Sequence, residues 1–195
     1  MEPFKKHTGN VMPLYQINID TDQIIPKQFL KRIERTGFGE FLFNDWRFDD
    51  KGNLIKDFIL NNQKYKKSSI LATGKNFGSG SSREHAVWAL HDYGFKCIIA
   101  PSFADIFYNN CFKTGLLPIQ IDETSVEKIV NSSQIDPSYQ LTIDLDSQTI
   151  IENGSDNQIF FEIDSFMKNC LLNGLDEIRL TLQYEKKIRK YEESH

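Results

Sequence analysis

Apolar positions cluster most clearly between residues 69 and 119. Ile70-Leu71-Ala72 is a short apolar run and predicts a buried strand. Ala86, Ala89, Leu90 and Tyr93 recur at i, i+3, i+4 and i+7, which is one apolar face of a helix. Gly94 follows, where a glycine commonly ends a helix. Cys97-Ile98-Ile99-Ala100 is a second apolar run, so the unit reads strand, crossover helix, strand. A helix from Ser102 to about Phe112 comes next. It carries Phe103, Ile106, Phe107 and Asn110 on one face, and Ser102 with Asp105 has the form of a capping box. Leu116-Leu117-Pro118-Ile119 begins another strand, and Asp122 to Asn131 reads as a short helix.

The ends of the chain follow other periods. Residues 10–15 predict a first strand, placed near a sheet edge because Pro13 cannot donate to a ladder. Leu141 to Leu145, Thr149 to Ile151 and Gln158 to Phe161 read as strands joined by hairpin-type turns at Asp146-Ser147 and Asn153-Gly154. Asp164 caps a helix over 165–172 that ends at Asn173-Gly174. A last helix over 175–192 carries Leu175, Ile178, Leu182 and Tyr191 opposite a charged face. Residues 31–68 show little period: charged residues alternate with aromatics, and Gly37 and Gly39 interrupt. So long a segment without regular elements is usually functional or mobile. It also fits a surface excursion packed by Phe38, Phe41, Phe43 and Trp46. With 195 residues the chain can bury one sizeable core. The expected architecture is one α/β domain over residues 1–195, with a mixed sheet and crossover helices.

Composition narrows the class. The net charge of −4 argues against a nucleic-acid surface. No apolar run approaches the roughly 20 residues of a membrane span. The first ten residues, MEPFKKHTGN, lack the apolar core of a signal peptide, so a cytoplasmic protein is expected. Cys97, Cys111 and Cys170 are odd in number and widely spaced, which is neither a disulfide framework nor a zinc site. His85 and His91 are six apart and face different sides of one helix, while His7 and His195 lie near the termini. No metal site is expected on this chain.

Candidate chemistry sits in the glycine-rich turn from Gly74 to Ser82. Ser81 or Ser82 suits the N-cap of the helix that follows. A helix start offers unpaired N–H groups and about half a positive charge. Gly78 and Gly80 let backbone approach a ligand, and Arg83 adds a planar cation that matches a carboxylate or phosphate. These residues describe an anion site with hydroxyl groups in it, or equally a capped helix with a flexible approach loop. Familiar glycine signatures are excluded. Arg83 replaces the last glycine of G-x-G-x-x-G, and neither Gly78 nor Gly80 is followed by the lysine of a phosphate loop. Gly80-Ser81-Ser82-Arg83-Glu84 lacks the final glycine of a hydrolase elbow.

Several stretches together resemble a known family. They are Asn18 to Leu30, Thr36 to Gly39, Leu42 to Phe48, Gly78 to Ala86, Ala100 to Phe107, Gly115 to Pro118 and Asn173 to Asp176. In order and spacing they are similar to the swivelling domain of the aconitase superfamily, and most closely to its 3-isopropylmalate dehydratase small subunits. The resemblance implies a swivelling β/β/α fold. It implies interconversion of 2-isopropylmalate and 3-isopropylmalate through 2-isopropylmaleate. Ser81 aligns with the family's catalytic serine, used as an alkoxide, and Gly80, Ser82, Arg83 and Asp22 with substrate-binding positions. Phe29, Leu30, Lys31 and Arg32 fall in the loop, about 29–68, that closes over substrate and senses its variable group. The implied partner is a separate large subunit, in a heterodimer or higher assembly, that holds a [4Fe–4S] cluster; this chain binds none. The second substrate cation is left unassigned in Lys31-Arg32-Ile33-Glu34-Arg35. The same chemistry on 2-methylmalate or homoaconitate, or a stand-alone anion-binding module, are the competing readings.

Overall fold

The computed structural model describes residues 1–31, 35–182 and 184–194. Its elements in chain order are β1 (Lys6–Leu14), α1 (Thr21–Ile24), α2 (Asn44–Arg47), β2 (Ser68–Thr73), α3 (Glu84–Tyr93), β3 (Cys97–Ala100), α4 (Asp105–Thr114), β4 (Leu117–Gln120), α5 (Glu123–Ile135), β5 (Gln140–Asp144), β6 (Thr149–Glu152), β7 (Gln158–Phe160), α6 (Ser165–Asn173), α7 (Glu177–Leu182) and α8 (Glu185–Glu193). The strands form one mixed sheet in the order β4-β3-β2-β1-β5-β6-β7. The first four in that order run parallel and are joined through helices; β5, β6 and β7 continue as an antiparallel meander. This is the expected α/β class with crossover helices.

The parallel strands are apolar on both faces because both faces are covered. Met12, Leu71 and Ile98 join one core with Ala86, Ala89 and Leu90 of α3 and Phe107 of α4. Val11, Ile70, Cys97 and Ile99 join the other core with Val126, Ile129 and Val130 of α5 and Leu171 of α6. Alternate residues of one strand thus serve different cores.

Strand β1 lies at the middle of the sheet, not near an edge. Pro13 is tolerated there because β1 changes partner along its length. It pairs with β5 only over Lys6–Asn10, so Pro13 lies beyond that ladder and pairs only with Ala72 of β2. The 31–68 excursion is held by short 3₁₀ turns at Phe38–Phe41, Ile59–Asn61 and Gln63–Tyr65, together with α2. Phe38, Leu42, Phe43, Leu60 and Tyr65 are buried in the α3-side core. Backbone approaches so closely at Gly39 that a Cβ would lie 2.6 Å from the Tyr93 nitrogen.

Two helix expectations change. The C-terminal helix is two pieces, α7 and α8, and Ile178, Leu182 and Tyr191 are exposed. An apolar stripe that stays exposed receives little of the tertiary support that holds a long helix together. In α4, Ala104 takes the N-cap position without a side-chain cap, and the Ser102 hydroxyl instead accepts from the Asn76 N–H at 2.9 Å. Phe107, Asn110, Cys111 and Phe112 are its buried positions, while Ile106 is exposed. Among the described residues no helix is long and apolar enough to cross a membrane.

Candidate active site

Parallel strands β1, β2 and β3 end on the same side of the sheet, and open α/β sheets bind ligands outside such carboxyl ends. The three loops that leave these ends are laced together. Gly78 and Ser79 donate to the Ile19 carbonyl at 2.8 and 3.2 Å, and Thr21 N–H donates to the Ser79 carbonyl at 2.9 Å. Phe77 N–H donates to the Ser102 carbonyl at 3.2 Å, and Ala104 N–H donates back to the Phe77 carbonyl at 3.0 Å. The glycine-rich turn is therefore a continuation of the sheet by backbone hydrogen bonds, and it is not a free approach loop.

The glycines have distinct duties. Gly78 has φ of +77°, and a Cβ there would lie 2.1 Å from Cγ of Phe107, so its purpose is to let α4 pack against the turn. Gly80 has φ of +87° with only ordinary contacts around it; conformation alone asks for glycine at that position.

Ser81 and Ser82 are both exposed. Neither caps α3. Arg83 occupies the N-cap position, without a side-chain capping bond, and α3 begins at Glu84. The turn's tether to Ile19 and Thr21 sets where the chain can enter the helix, and that leaves the serines upstream of it. What fixes Ser81 is its carbonyl, which accepts from the Thr21 hydroxyl at 2.7 Å. Ser81 lines a cleft of about 210 Å³ together with Thr21, Gly80, Arg83, Asp105 and Ile106. Larger hollows lie beside His7, His91 and Lys96, and between α5 and the β5–β7 meander, but they adjoin none of these residues.

Asp22 and Arg83, 61 positions apart in the chain, meet as a bidentate pair. Nη1 donates to Oδ1, and Nη2 donates to Oδ2 at 3.0 Å. The Arg83 side chain is 9% exposed and the Asp22 side chain 40%. The hydrogen bond from Arg83 is the main cause that holds the Asp22 carboxyl below its ordinary range, with Lys27 adding to it. Asp22 is positioned by α1, whose N-cap Asp20 and Gln23 close a reciprocal capping box at 2.8 Å in each direction. Thus Asp20-Thr21-Asp22 is both a cap and a tether: the first residue caps, the second holds Ser81, the third holds Arg83.

The other expected positions lie elsewhere. Phe29 stacks on Phe41 with ring centroids 4.2 Å apart, and Leu30 is half-buried against the core. Lys31 is exposed at the end of the 3₁₀ turn Lys27–Lys31, and Arg32 lies outside the described residues. Phe29, Leu30 and Lys31 do not line the Ser81 cleft. Thr21, Asp105 and Ile106 do line it, and none of them was an expected site position. Thr21 had a legible signal in lying between two aspartates of a capping turn; Asp105 and Ile106 had none.

The cysteines do not fit a cluster. Cys97, Cys111 and Cys170 are buried and separate, and burial pushes all three thiols up. Among the described residues no group of three or more His, Cys, Asp or Glu side chains could hold a metal ion. His85 packs edge-on to Phe38 and tilted against Trp88, and burial lowers its pKa.

Residues 1–124 match the aconitase C-terminal domain family, a range that holds Asp22, Gly80, Ser81, Ser82 and Arg83. The chain is 60% identical over 192 residues to the 3-isopropylmalate dehydratase small subunit of Brevibacillus brevis, covering 98% of both. It is 56% identical to the protein of that name in Bacillus subtilis, covering 98% of this chain and 96% of that one. A crystal structure of 3-isopropylmalate dehydratase from Methanocaldococcus jannaschii superposes with a TM-score of 0.67 at 26% identity, covering 96% and 99% of the two chains.

Proposed function

This chain belongs to the family of 3-isopropylmalate dehydratase small subunits, and on that premise we propose how its residues take part in the reaction. Membership makes it one subunit of a two-subunit hydro-lyase that interconverts 2-isopropylmalate and 3-isopropylmalate in leucine biosynthesis. The observation that carries the reading of the site is the meeting of exposed Ser81 with Arg83, itself paired with Asp22, at one cleft.

The reaction removes water from 2-isopropylmalate and adds it back at the neighbouring carbon. It needs a base for a C–H proton beside a carboxylate, a group to take the leaving hydroxyl, and cations for two carboxylates. Ser81, as the alkoxide, accepts the C–H proton; the electron pair forms the double bond of 2-isopropylmaleate, and hydroxide leaves. A serine hydroxyl is a weak base near neutral pH, so the site must stabilise the oxyanion. The free N–H groups at the start of α3 and the Arg83 guanidinium supply donors for that purpose. Arg83 also holds a substrate carboxylate with Ser82 and the Gly80 backbone, using N–H groups that Asp22 leaves free: a guanidinium has five, and Asp22 takes two. A [4Fe–4S] cluster in the large subunit supplies the Lewis acid for the leaving hydroxyl. The described residues offer no group to hold it, and their three thiols are core residues. We place the enzyme in the cytoplasm, where such free thiols stay reduced.

Purification with and without the large subunit tests this reading. The isolated chain will hold no stoichiometric iron and show no dehydratase activity, and the mixture will convert 2-isopropylmalate. Iron bound at one cluster per isolated chain, or turnover by this chain alone, contradicts the division of labour.

The stretch 29–35 reads the substrate's variable group. Phe29 and Leu30, at the start of the stretch, are held by Phe41 and the core. Exchanging residues in it will change the ratio of kcat/KM for 2-isopropylmalate over an analogue lacking the branch more than it changes the best turnover. Each methylene-sized contact in an apolar pocket is worth roughly 1–3 kcal/mol of discrimination. A constant ratio across several substitutions would place specificity in the large subunit.

A further inference from the structure

The two ends of helix α3 meet different surroundings. Arg83, its N-cap, lines the Ser81 cleft. Its last turn carries His91 to the amino ends of the parallel strands, where a cavity of about 420 Å³ opens. His7, near the start of β1, and Lys96, immediately before β3, line the same cavity. The cavity and the Ser81 cleft share no lining residue. Three basic side chains thus converge from three places in the fold.

Little answers their charge. Lys5 and Lys6 also line the cavity, and Glu2 is its one carboxylate among the described residues. Lys6 pairs with Asp144 at 3.6 Å. Lys5, Lys96 and both histidines make no ion pair among the described residues. Asp92, beside His91, spends Oδ2 on the Phe38 N–H at 3.0 Å. Burial lowers the pKa of His7 and His91, and the Lys96 charge lowers both further. Lys96 is therefore close enough to act on both rings, while Asp92 and Glu2 oppose it at His91. The His7 ring is held in place. Its Nε2 shares a hydrogen bond with Ser69 Oγ at 2.7 Å, which leaves Nδ1 outside that bond. Gly9 makes room for this pair: a Cβ there would collide with Ser69 Oγ and lie 2.8 Å from His7 Nε2.

We propose that this cavity binds a phosphate group, as inorganic phosphate or as a small phosphate monoester, on His7, His91 and Lys96. A phosphate near neutral pH carries close to two negative charges, which the unpaired cluster can neutralise. Lysine and histidine each donate from a single point, and such donors arriving from separate directions suit a tetrahedral oxyanion. A planar carboxylate is better matched by a guanidinium fork, and no arginine lines the cavity among the described residues. An anion also turns the histidines into better donors, because an opposite charge nearby favours the imidazolium. The cavity has room beyond the phosphate itself, and Pro3 and Phe4 give it an apolar wall for the organic part of a monoester. All these groups belong to this chain, so binding needs no large subunit and does not rest on the proposed reaction.

The test titrates the full chain with inorganic phosphate and with phenyl phosphate by calorimetry, at constant ionic strength set with chloride. The wild type will bind phosphate saturably at one site per chain. Lys96→Met will weaken binding about tenfold to a hundredfold, the range set by losing a hydrogen bond to a charged group. His91→Gln will weaken it as well, and Lys51→Met, on an exposed turn away from the cavity, will not. Phosphate will raise the thermal midpoint of the wild type, and that rise will be lost in Lys96→Met, whose midpoint without phosphate shows that it is folded. In NMR titrations the ring signals of His7 and His91 will shift and the Ser81 amide will not. Tighter binding of phenyl phosphate identifies a monoester, and equal or weaker binding identifies inorganic phosphate. The proposal is overturned by an absence of saturable binding, or by equal displacement with chloride. It is also overturned if Lys96→Met and His91→Gln both keep wild-type affinity, or if phosphate moves the Ser81 amide and leaves both rings unchanged.

Discussion

Replacing Ser81 by alanine in the assembled enzyme will lower kcat by roughly 10²–10⁴, the loss expected for a positioned proton-transfer group. KM will change little, because the hydroxyl acts mainly in the transition state. Stability will hardly move. Ser81 is exposed and makes no capping bond, since Arg83 takes the N-cap position of α3. The bond that anchors the residue runs from Thr21 to the Ser81 carbonyl, which alanine keeps. The substitution therefore belongs with surface changes, within about 0.5 kcal/mol. Thermal midpoint of the free chain and kcat of the assembled enzyme are the two measurements. Normal turnover, with or without a lowered midpoint, would make the serine structural and the catalytic assignment wrong.

The strand–helix–strand unit was legible because its signals are local. Ile70 to Ala72 and Cys97 to Ala100 are buried on both faces, so their apolar runs are unbroken. Ala86, Ala89 and Leu90 repeat at the helical period because one face of α3 meets the core. Gly94, in the left-handed region, ends that helix as expected. What failed depended on distant partners. Pro13 pointed to an edge, yet β1 is central, because its exchange of β5 for β2 happens within the strand. Ile106 fits the apolar period of α4 but faces the cleft. The C-terminal stripe of Ile178 and Leu182 predicted one packed helix, and both side chains are exposed.

The site divides in the same way. The positive-φ glycine and the two hydroxyls stand in one stretch of sequence, so an anion site was readable there. Its rival, a capped helix with a flexible approach, rested on serine's capping habit, and local sequence could not separate the two. Tertiary bonds bear on the rival alone: the Ile19 carbonyl and Thr21 hold the turn, and the helix starts after the serines. The Asp22–Arg83 pair joins residues far apart in sequence, so nothing local announced that the guanidinium already has a carboxylate partner.

That pairing governs what Arg83→Lys will do. Lysine keeps the charge but cannot match the two Asp22 oxygens while presenting a second planar edge to the substrate. KM for 2-isopropylmalate will rise and kcat will fall, by up to the roughly 10²–10³ that losing one oxyanion donor costs. A pH signature accompanies the kinetics. Arg83 is the main cause of the lowered Asp22 pKa, so the folded value lies below the unfolded one. Stability from this group is fully present above the unfolded pKa of about 3.9 and is lost as pH falls through the folded value. Arg83→Lys weakens that depression, so its stability will fall most at neutral pH and converge on the wild type in acid. Asp22→Asn removes the titration and will flatten the same acid limb. The difference is small because Asp22 is 40% exposed and water screens the pair. Thermal midpoints of the free chains across the acid range, set beside kcat and KM of the assembled enzymes, separate the two duties of Arg83. If kcat and KM stay at wild-type values while the acid limb alone changes, Arg83 is a structural partner of Asp22 and the substrate contact lies elsewhere.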